Sequence, residues 1–371
     1  MNYSHLRFWH SRALCLFMVL CSLTTINAQT TTDNVYIKEG VTVEPGGDLQ
    51  YFTVAIDNAS DDYVAYQMDI YLPEGLELAY EEGEPLIFIN NEDGFYPTNV
   101  RKVPYHSLNM NITAECIRLM CTEGSNRAFK SRSGAMFDVY VTASPYIKPG
   151  DVQIELKGVK LSNINATGVT IPSIVSNAVK VSNHSTVALT VNSKNKYGTC
   201  LLPFDAPLPA GVKAYSCGAV SGENLVLEEQ ASIVAYTPYI IYAENGCNTT
   251  LSGSVDATKY VTTATIGYLT GTTVTSEVSA GANYILQNQG EGVMFYKVGD
   301  TPFSLAPGKC WLTLPAELQG SARFRLDGTT GIENVKTEKK IAKTIYDIKG
   351  RCVKEMLPGK MYIVDGKKII W

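Results

Sequence analysis

The stretch that decides the fold is QYFTVAIDNASDDYVAYQMDIYLPEGLEL, residues 50–78. Phe52, Val54 and Ile56 alternate with Thr53, Ala55 and Asp57, the period of two of a half-buried strand. Residues 58–62, NASDD, are turn chemistry, because Asn and Asp bond the local backbone. A second alternation follows, with Tyr66, Met68, Ile70 and Leu72 on one side and Gln67, Asp69 and Tyr71 on the other. PEGLEL at 73–78 closes that strand, since proline cannot donate to a ladder and glycine permits a turn.

Outward from this pair the same texture continues. AECIRLMCT (114–122), AMFDVYVTA (135–143), VQIELKGVKLSN (152–163) and NAVKVSN (177–183) are short and strand-like. EGSN, KPGD and SNINATG punctuate them. Many short strands with regular turns and no interposed helix indicate an all-β chain that opens with a jelly-roll-like β-sandwich. That sandwich is expected over residues 33–184, a second all-β module over 185–327, a linker over 328–342 and a short C-terminal β segment over 343–371.

The 371 residues suffice for two or three domains, and 45% hydrophobic against 18% charged residues places the chain among globular proteins. Residues 1–28 read as a secretory signal peptide: Arg7 and Arg12 precede an apolar run from Ala13 to Leu23, and Ala28 offers a small residue before the cut. The rival lipoprotein reading at Cys21 puts Leu20 where a small residue belongs. The apolar run is short for a bilayer, and nothing later is long and apolar enough, so the mature chain is expected to lack a membrane-spanning segment. Cleavage removes Arg7 and Arg12 and no acid, taking the formal charge from −5 to −7. A mildly acidic chain without a basic block argues against nucleic acid as partner.

Seven cysteines follow residue 28, an odd number, so at least one is free or pairs between chains. Their spacing fits no zinc site. Buried apolar cysteine is the plainer reading, and a disulfide between two of Cys200, Cys217, Cys247 and Cys310 is the alternative. His106 and His184 are the two histidines of that region, neither at metal-ligand spacing from another ligand. No G-x-S-x-G elbow or phosphate loop occurs, and Asp61–Asp62, Glu81–Glu82–Glu84 and Glu92–Asp93 sit beside turn residues. DNASDD (57–62) and INNEDG (89–94) offer hard oxygens but lack the calcium-loop spacing. The reading is therefore no catalytic residue, no metal and no cofactor.

Binding falls to the aromatics, which bury much area and carry a polar handle. Tyr66, Tyr71, Tyr96 and Tyr105, and later Tyr236, Tyr239, Tyr242 and Trp311, are the candidates. Tyr71 leads, because the alternation places it with Gln67 and Asp69, opposite Met68 and Ile70.

Two segments resemble known families. VTVEPGGDLQYFTVAIDNASDDYVAYQMDIYLPEGLEL, with the later SGAMFDVYVTASPYIKPGDVQIELKGVKLSN, resembles a cohesin domain in its order of features: a Pro-Gly entry, an apolar strand ending in Asn, a strand running into P-x-G-L, and a late G-D-V-x-I-x-L segment. That resemblance implies a jelly-roll sandwich akin to carbohydrate-binding modules, so the expected function is non-catalytic binding of an extracellular polysaccharide. Docking of another protein, as cohesins dock dockerins, is the alternative, and an unrecognised hydrolase ranks below both. The second module, through YGTCLLPFDAPLPAGVKAY, TPYIIYAE, ANYILQNQGEGVMFYKV and LAPGKCWLTLP, resembles an all-β module of secreted Bacteroidetes proteins. The last 29 residues resemble the C-terminal sorting domain of type IX secretion. Tyr346, Asp347, Gly350, Arg351 and Val353 match its first motif, and Leu357, Tyr362, Ile363 and Val364 its second. Lys360 stands where the family has glycine, and Gly359 comes one residue early. This resemblance implies handling by secretion machinery and a place outside the cell or on its surface.

Overall fold

A computed structural model describes residues 32–59, 61–89, 101 and 106–326, with strand backbone at 345–347, 352–353, 361–364 and 367–370. The architecture is all-β, as the alternation requires.

The first module is two facing sheets. One contains β1 (Asn34–Ile37), β3 (Gln50–Asp57), β5 (Leu76–Leu78), β8 (Ile87–Phe88) and β11 (Ser133–Ala143). Its order is β1-β3-β11-β5, with β8 also on β11. The other runs β2-β14-β12-β4-β10-β9, formed by β2 (Val41–Val43), β4 (Tyr63–Tyr71), β9 (His106–Ile112), β10 (Ile117–Glu123), β12 (Gly150–Asn163) and β14 (Ile174–Val181). β13 (Gly168–Thr170) adds to β12, and β6 (Tyr80–Glu81) and β7 (Glu84–Pro85) form a small separate hairpin. β1 and β2 are nearly continuous in sequence yet belong to different sheets, and β2 pairs with β14 in parallel. The chain thus stitches the two sheets together at its start.

The core lies between the sheets. Phe52, Phe137, Met68, Ile70, Leu119, Ile154 and Leu156 are fully buried, each contributing roughly 1.5–3 kcal/mol by leaving water. Two expectations change. The strand over 50–57 is buried on both faces, because Thr53 and Ala55 are covered too and the Thr53 hydroxyl donates to the buried Asp138 carboxylate at 2.6 Å. Residues 76–78 do not merely close β4: Pro73–Gly75 turn the chain across, with Leu76 N–H on the Pro73 carbonyl at 3.1 Å, and LEL becomes a strand of the opposite sheet.

A ten-strand path from Tyr197–Cys200 to Thr263–Ile266 forms most of the second module. It curls until distant strands meet: Tyr268 N–H donates to the Cys217 carbonyl at 2.8 Å, and Leu201 N–H to the Gly308 carbonyl at 3.0 Å. Tyr284, Phe295, Leu312 and Phe324 fill its interior. The backbone of the last four strands, Ile345–Asp347, Cys352–Val353, Met361–Val364 and Lys367–Ile370, forms one antiparallel sheet. Its register sets Tyr346 opposite Ile363 and Asp347 opposite Tyr362. Gly350, Arg351, Leu357 and Gly359 of the sorting-type motif lie outside the described residues, as do the signal segment 1–28 and the linker 328–342.

The two modules are keyed together. Tyr146 leaves the first sandwich and joins the core of the second, with Phe204, Cys200 and Cys310. Gly308 makes room for it: a Cβ there would lie 1.9 Å from the Tyr146 hydroxyl, and its φ of +76° suits glycine. Gly46 does the same against the Thr186 carbonyl, also at 1.9 Å. The fully buried Ser185 donates to the Pro145 carbonyl at 2.6 Å, and Thr186 N–H to the Pro45 carbonyl at 2.9 Å. Removing a buried ring leaves a cavity and loses its transfer energy, so Tyr146→Ala is expected to cost about 3 kcal/mol. Urea unfolding of the full chain reads this as a lower midpoint; an unchanged midpoint would show that the ring does not hold the modules.

Candidate functional site

The site is built on β4, the strand between β12 and β10. Met68 and Ile70 point into the core, so Gln67, Asp69 and Tyr71 share the outer face. The register sets Asp69 opposite Arg118 of β10 and Lys157 of β12, and Gln67 opposite Met120 and Lys160. A bulge at Gly158 and Val159 lets β12 turn both Lys157 and Lys160 outward while Val159 stays fully buried.

Charge is fixed across this face. The Arg118 guanidinium donates to both Asp69 oxygens, Nε at 2.7 Å and Nη2 at 2.8 Å, a bidentate pair. Those hydrogen bonds hold the Asp69 carboxyl below its ordinary range. Lys157 pairs with Glu155, and its ammonium lies 4.4 Å from the centre of the Tyr71 ring, a cation–π contact. Partial burial, and then the Cys116 thiol beside it, raise the Tyr71 hydroxyl. Met120 is 44% exposed among these polar groups, and Asn109 and Asn111 extend the face along β9.

The remaining aromatic candidates go elsewhere. Tyr66 is buried, 5.6 Å from Phe129 and 5.7 Å from Phe137 between ring centres. Tyr236 and Tyr239 are buried in the second module, so these three offer no platform. Tyr242 is half-buried and donates to Glu244, and Trp311 packs on a small cluster with Val278 and Ile285. Tyr96 and Tyr105 lie outside the described residues, as do Glu92–Asp93 and most of INNEDG.

His106, Asp61 and Asp62 have structural occupations. His106 is buried, its ring stacked 4.1 Å from Phe129 with Nε2 3.3 Å from the Val64 carbonyl. Asp62 pairs with Arg132, and Asp61 accepts from Asn163, whose amide bonds draw its carboxyl pKa down. Among the described residues no three His, Cys, Asp or Glu side chains gather as a metal site. Cys116, Cys200, Cys217, Cys247 and Cys310 are free thiols. Burial pushes the Cys200 and Cys217 thiols up to about 12, which leaves them unreactive at neutral pH. No described helix is long and apolar enough to cross a membrane.

Sequence reasoning missed Arg118, Met120 and Lys157. Their signal was the alternation in IRLMCTE and QIELKG, but only the strand register shows that they meet Asp69 and Gln67.

No protein-family model matches the chain, and no curated protein matches it. Solved structures similar to it include cohesins. One is the non-cellulosomal cohesin of Archaeoglobus fulgidus, 14% identical over 40% of this chain and 91% of that one, with a TM-score of 0.28. Another is the cohesin–dockerin complex Coh-OlpA-Doc918 of Clostridium thermocellum, 17% identical over 40% and 99%, at 0.31. A third is the cohesin module of a family 33 glycoside hydrolase of Clostridium perfringens, 12% identical over 41% and 98%, also at 0.31.

The Asp69–Arg118 pair gives a pH signature. A carboxyl whose folded pKa is depressed adds stability above its unfolded value of about 3.9, and that stability is lost as pH falls through the folded value. Asp69→Asn is therefore expected to destabilise the protein near neutral pH, and the difference from the parent shrinks by about pH 3. Urea midpoints at both pH values check this; a difference independent of pH would place the effect in packing.

Proposed function

We propose that the chain is a secreted, non-catalytic binding protein that docks a protein partner on the outer face of the sheet holding β4. The observation that carries this reading is the patch of Tyr71, Arg118 and Met120 set among Gln67, Asp69 and Lys157. Tyr, Arg and Met are the residue types enriched at protein interfaces, and here they lie on a rigid sheet with their charges already oriented. A pre-paired Asp69–Arg118 bridge gives a partner fixed acceptors and donors to match, which favours specificity.

Polysaccharide is the other partner class that the sequence suggests. A sugar ring would stack on an open aromatic face, whereas the Lys157 ammonium already sits over the Tyr71 ring at 4.4 Å. That favours protein at this patch. The cohesin resemblance of the sequence is compatible with this class of partner as well as with polysaccharide. In this reading residues 1–28 export the chain, and the C-terminal segment around Tyr346, Asp347 and Tyr362 engages secretion machinery and sets it outside the cell or on its surface.

Met120→Glu places a charge at the centre of the patch without touching the core. The full chain, immobilised, is expected to retain a surface-fraction protein that the variant binds roughly tenfold or more weakly, the loss typical of a central interface residue. Retention of the same proteins at equal strength by both would contradict docking at this face.

A further inference from the structure

The junction between the modules encloses a second, chemically different site. A cleft of about 160 Å³ opens where the Pro73–Gly75 turn and the segment around Tyr146 face the second module. A cavity holds a water from roughly 10–15 Å³ upward, so the cleft has room for several waters or one small polar ligand.

The first module contributes Glu74, Glu77, Ser144 and Tyr146 to the lining. Tyr260, Thr262, Thr273 and Thr275 line it from the second. Five hydroxyl-bearing side chains and two carboxylates therefore line the cleft, Tyr146 lends ring surface while its hydroxyl sits against Gly308, and no basic side chain lines it. The Glu74 and Glu77 side chains are exposed and have no ion-pair or hydrogen-bond partner among the described residues. Elsewhere on the surface acids are often spent in ion pairs, as Glu155, Glu229 and Glu244 are.

The frame is rigid. Ser144 N–H donates to the Gly75 carbonyl at 2.7 Å, and Ile147 N–H to the Ser144 carbonyl at 3.1 Å. Across the cleft Thr273 N–H donates to the Thr262 carbonyl at 2.9 Å, and the Thr273 hydroxyl to the Val261 carbonyl at 2.9 Å. Tyr146 is buried, and Tyr260 is half-buried with Tyr236 edge-on to it, 6.3 Å between ring centres. Ligand sites favour such module boundaries because both sides supply preset groups.

From this we infer that the inter-module cleft binds a neutral sugar ring. Carboxylates only accept hydrogen bonds and hydroxyls both donate and accept, a set that fits the adjacent O–H groups of a pyranose. The two uncompensated negative charges disfavour a uronate, a sulfated sugar or a phosphosugar through like-charge repulsion. The inference is independent of the docking face, because Glu74 and Glu77 take no part in the Tyr71 patch.

The test is ligand-observed NMR with isothermal titration of the full chain against methyl glycosides of glucose, galactose, mannose and N-acetylglucosamine, with methyl glucuronide and methylammonium as controls. At least one neutral glycoside is expected to saturate at millimolar concentration, and the glucuronide is not. Glu74→Gln and Glu77→Gln are each expected to weaken binding roughly tenfold, because a charge-assisted hydrogen bond is exchanged for a neutral one. Both side chains are exposed, so an unchanged thermal midpoint separates lost binding from lost fold. The inference is overturned if no neutral glycoside saturates, if both variants bind as the parent does, or if methylammonium displaces the sugar and binds alone.

Discussion

Met68 and Ile70 must face the core, and that constraint fixes the outer surface. A strand alternates, so once these two are buried Gln67, Asp69 and Tyr71 face outward. Leu119 on β10 and Leu156 on β12 impose the same constraint on their own strands, which turns Arg118 and Lys157 outward beside Asp69. A slip of one residue in either pairing would bury charge and expose the core at once. The bidentate Asp69–Arg118 pair is thus a product of core packing, and it contributes orientation more than stability, since Arg118 remains largely in water.

The junction between modules follows a different logic. Tyr146 is supplied by one module and buried in the other, and Gly46 and Gly308 yield the space that close approach requires. Neither module presents a complete surface there alone. The cleft lined by Glu74 and Glu77 exists because that approach is held by main-chain hydrogen bonds, so the binding chemistry inferred for it depends on the joint being fixed.

Much of this was legible in the sequence. The period of two over 50–57 and 63–71 gave the strands, the all-β class and the outward set Gln67, Asp69 and Tyr71. Local pattern could not show that Thr53 and Ala55 are covered as well, because a small side chain is compatible with either surface. Nor could it separate Tyr66, Tyr236 and Tyr239, which serve the core, from Tyr71: tyrosine fills cores and interfaces equally well. Arg118, Met120 and Lys157 join the site through strand pairing across many residues, and the cleft unites segments near 75, 146, 262 and 274. Such juxtapositions are properties of topology, and no window of sequence contains them.

The central claim is that the face around Tyr71 meets a protein. The most direct measurement replaces Tyr71 with a photo-crosslinking phenylalanine analogue in the full chain, with the same replacement at Tyr51 of the opposite sheet as reference, and irradiates intact cells. The account predicts a discrete protein adduct from position 71 that is absent from position 51. Equal adducts from both positions, or none from 71, would contradict it.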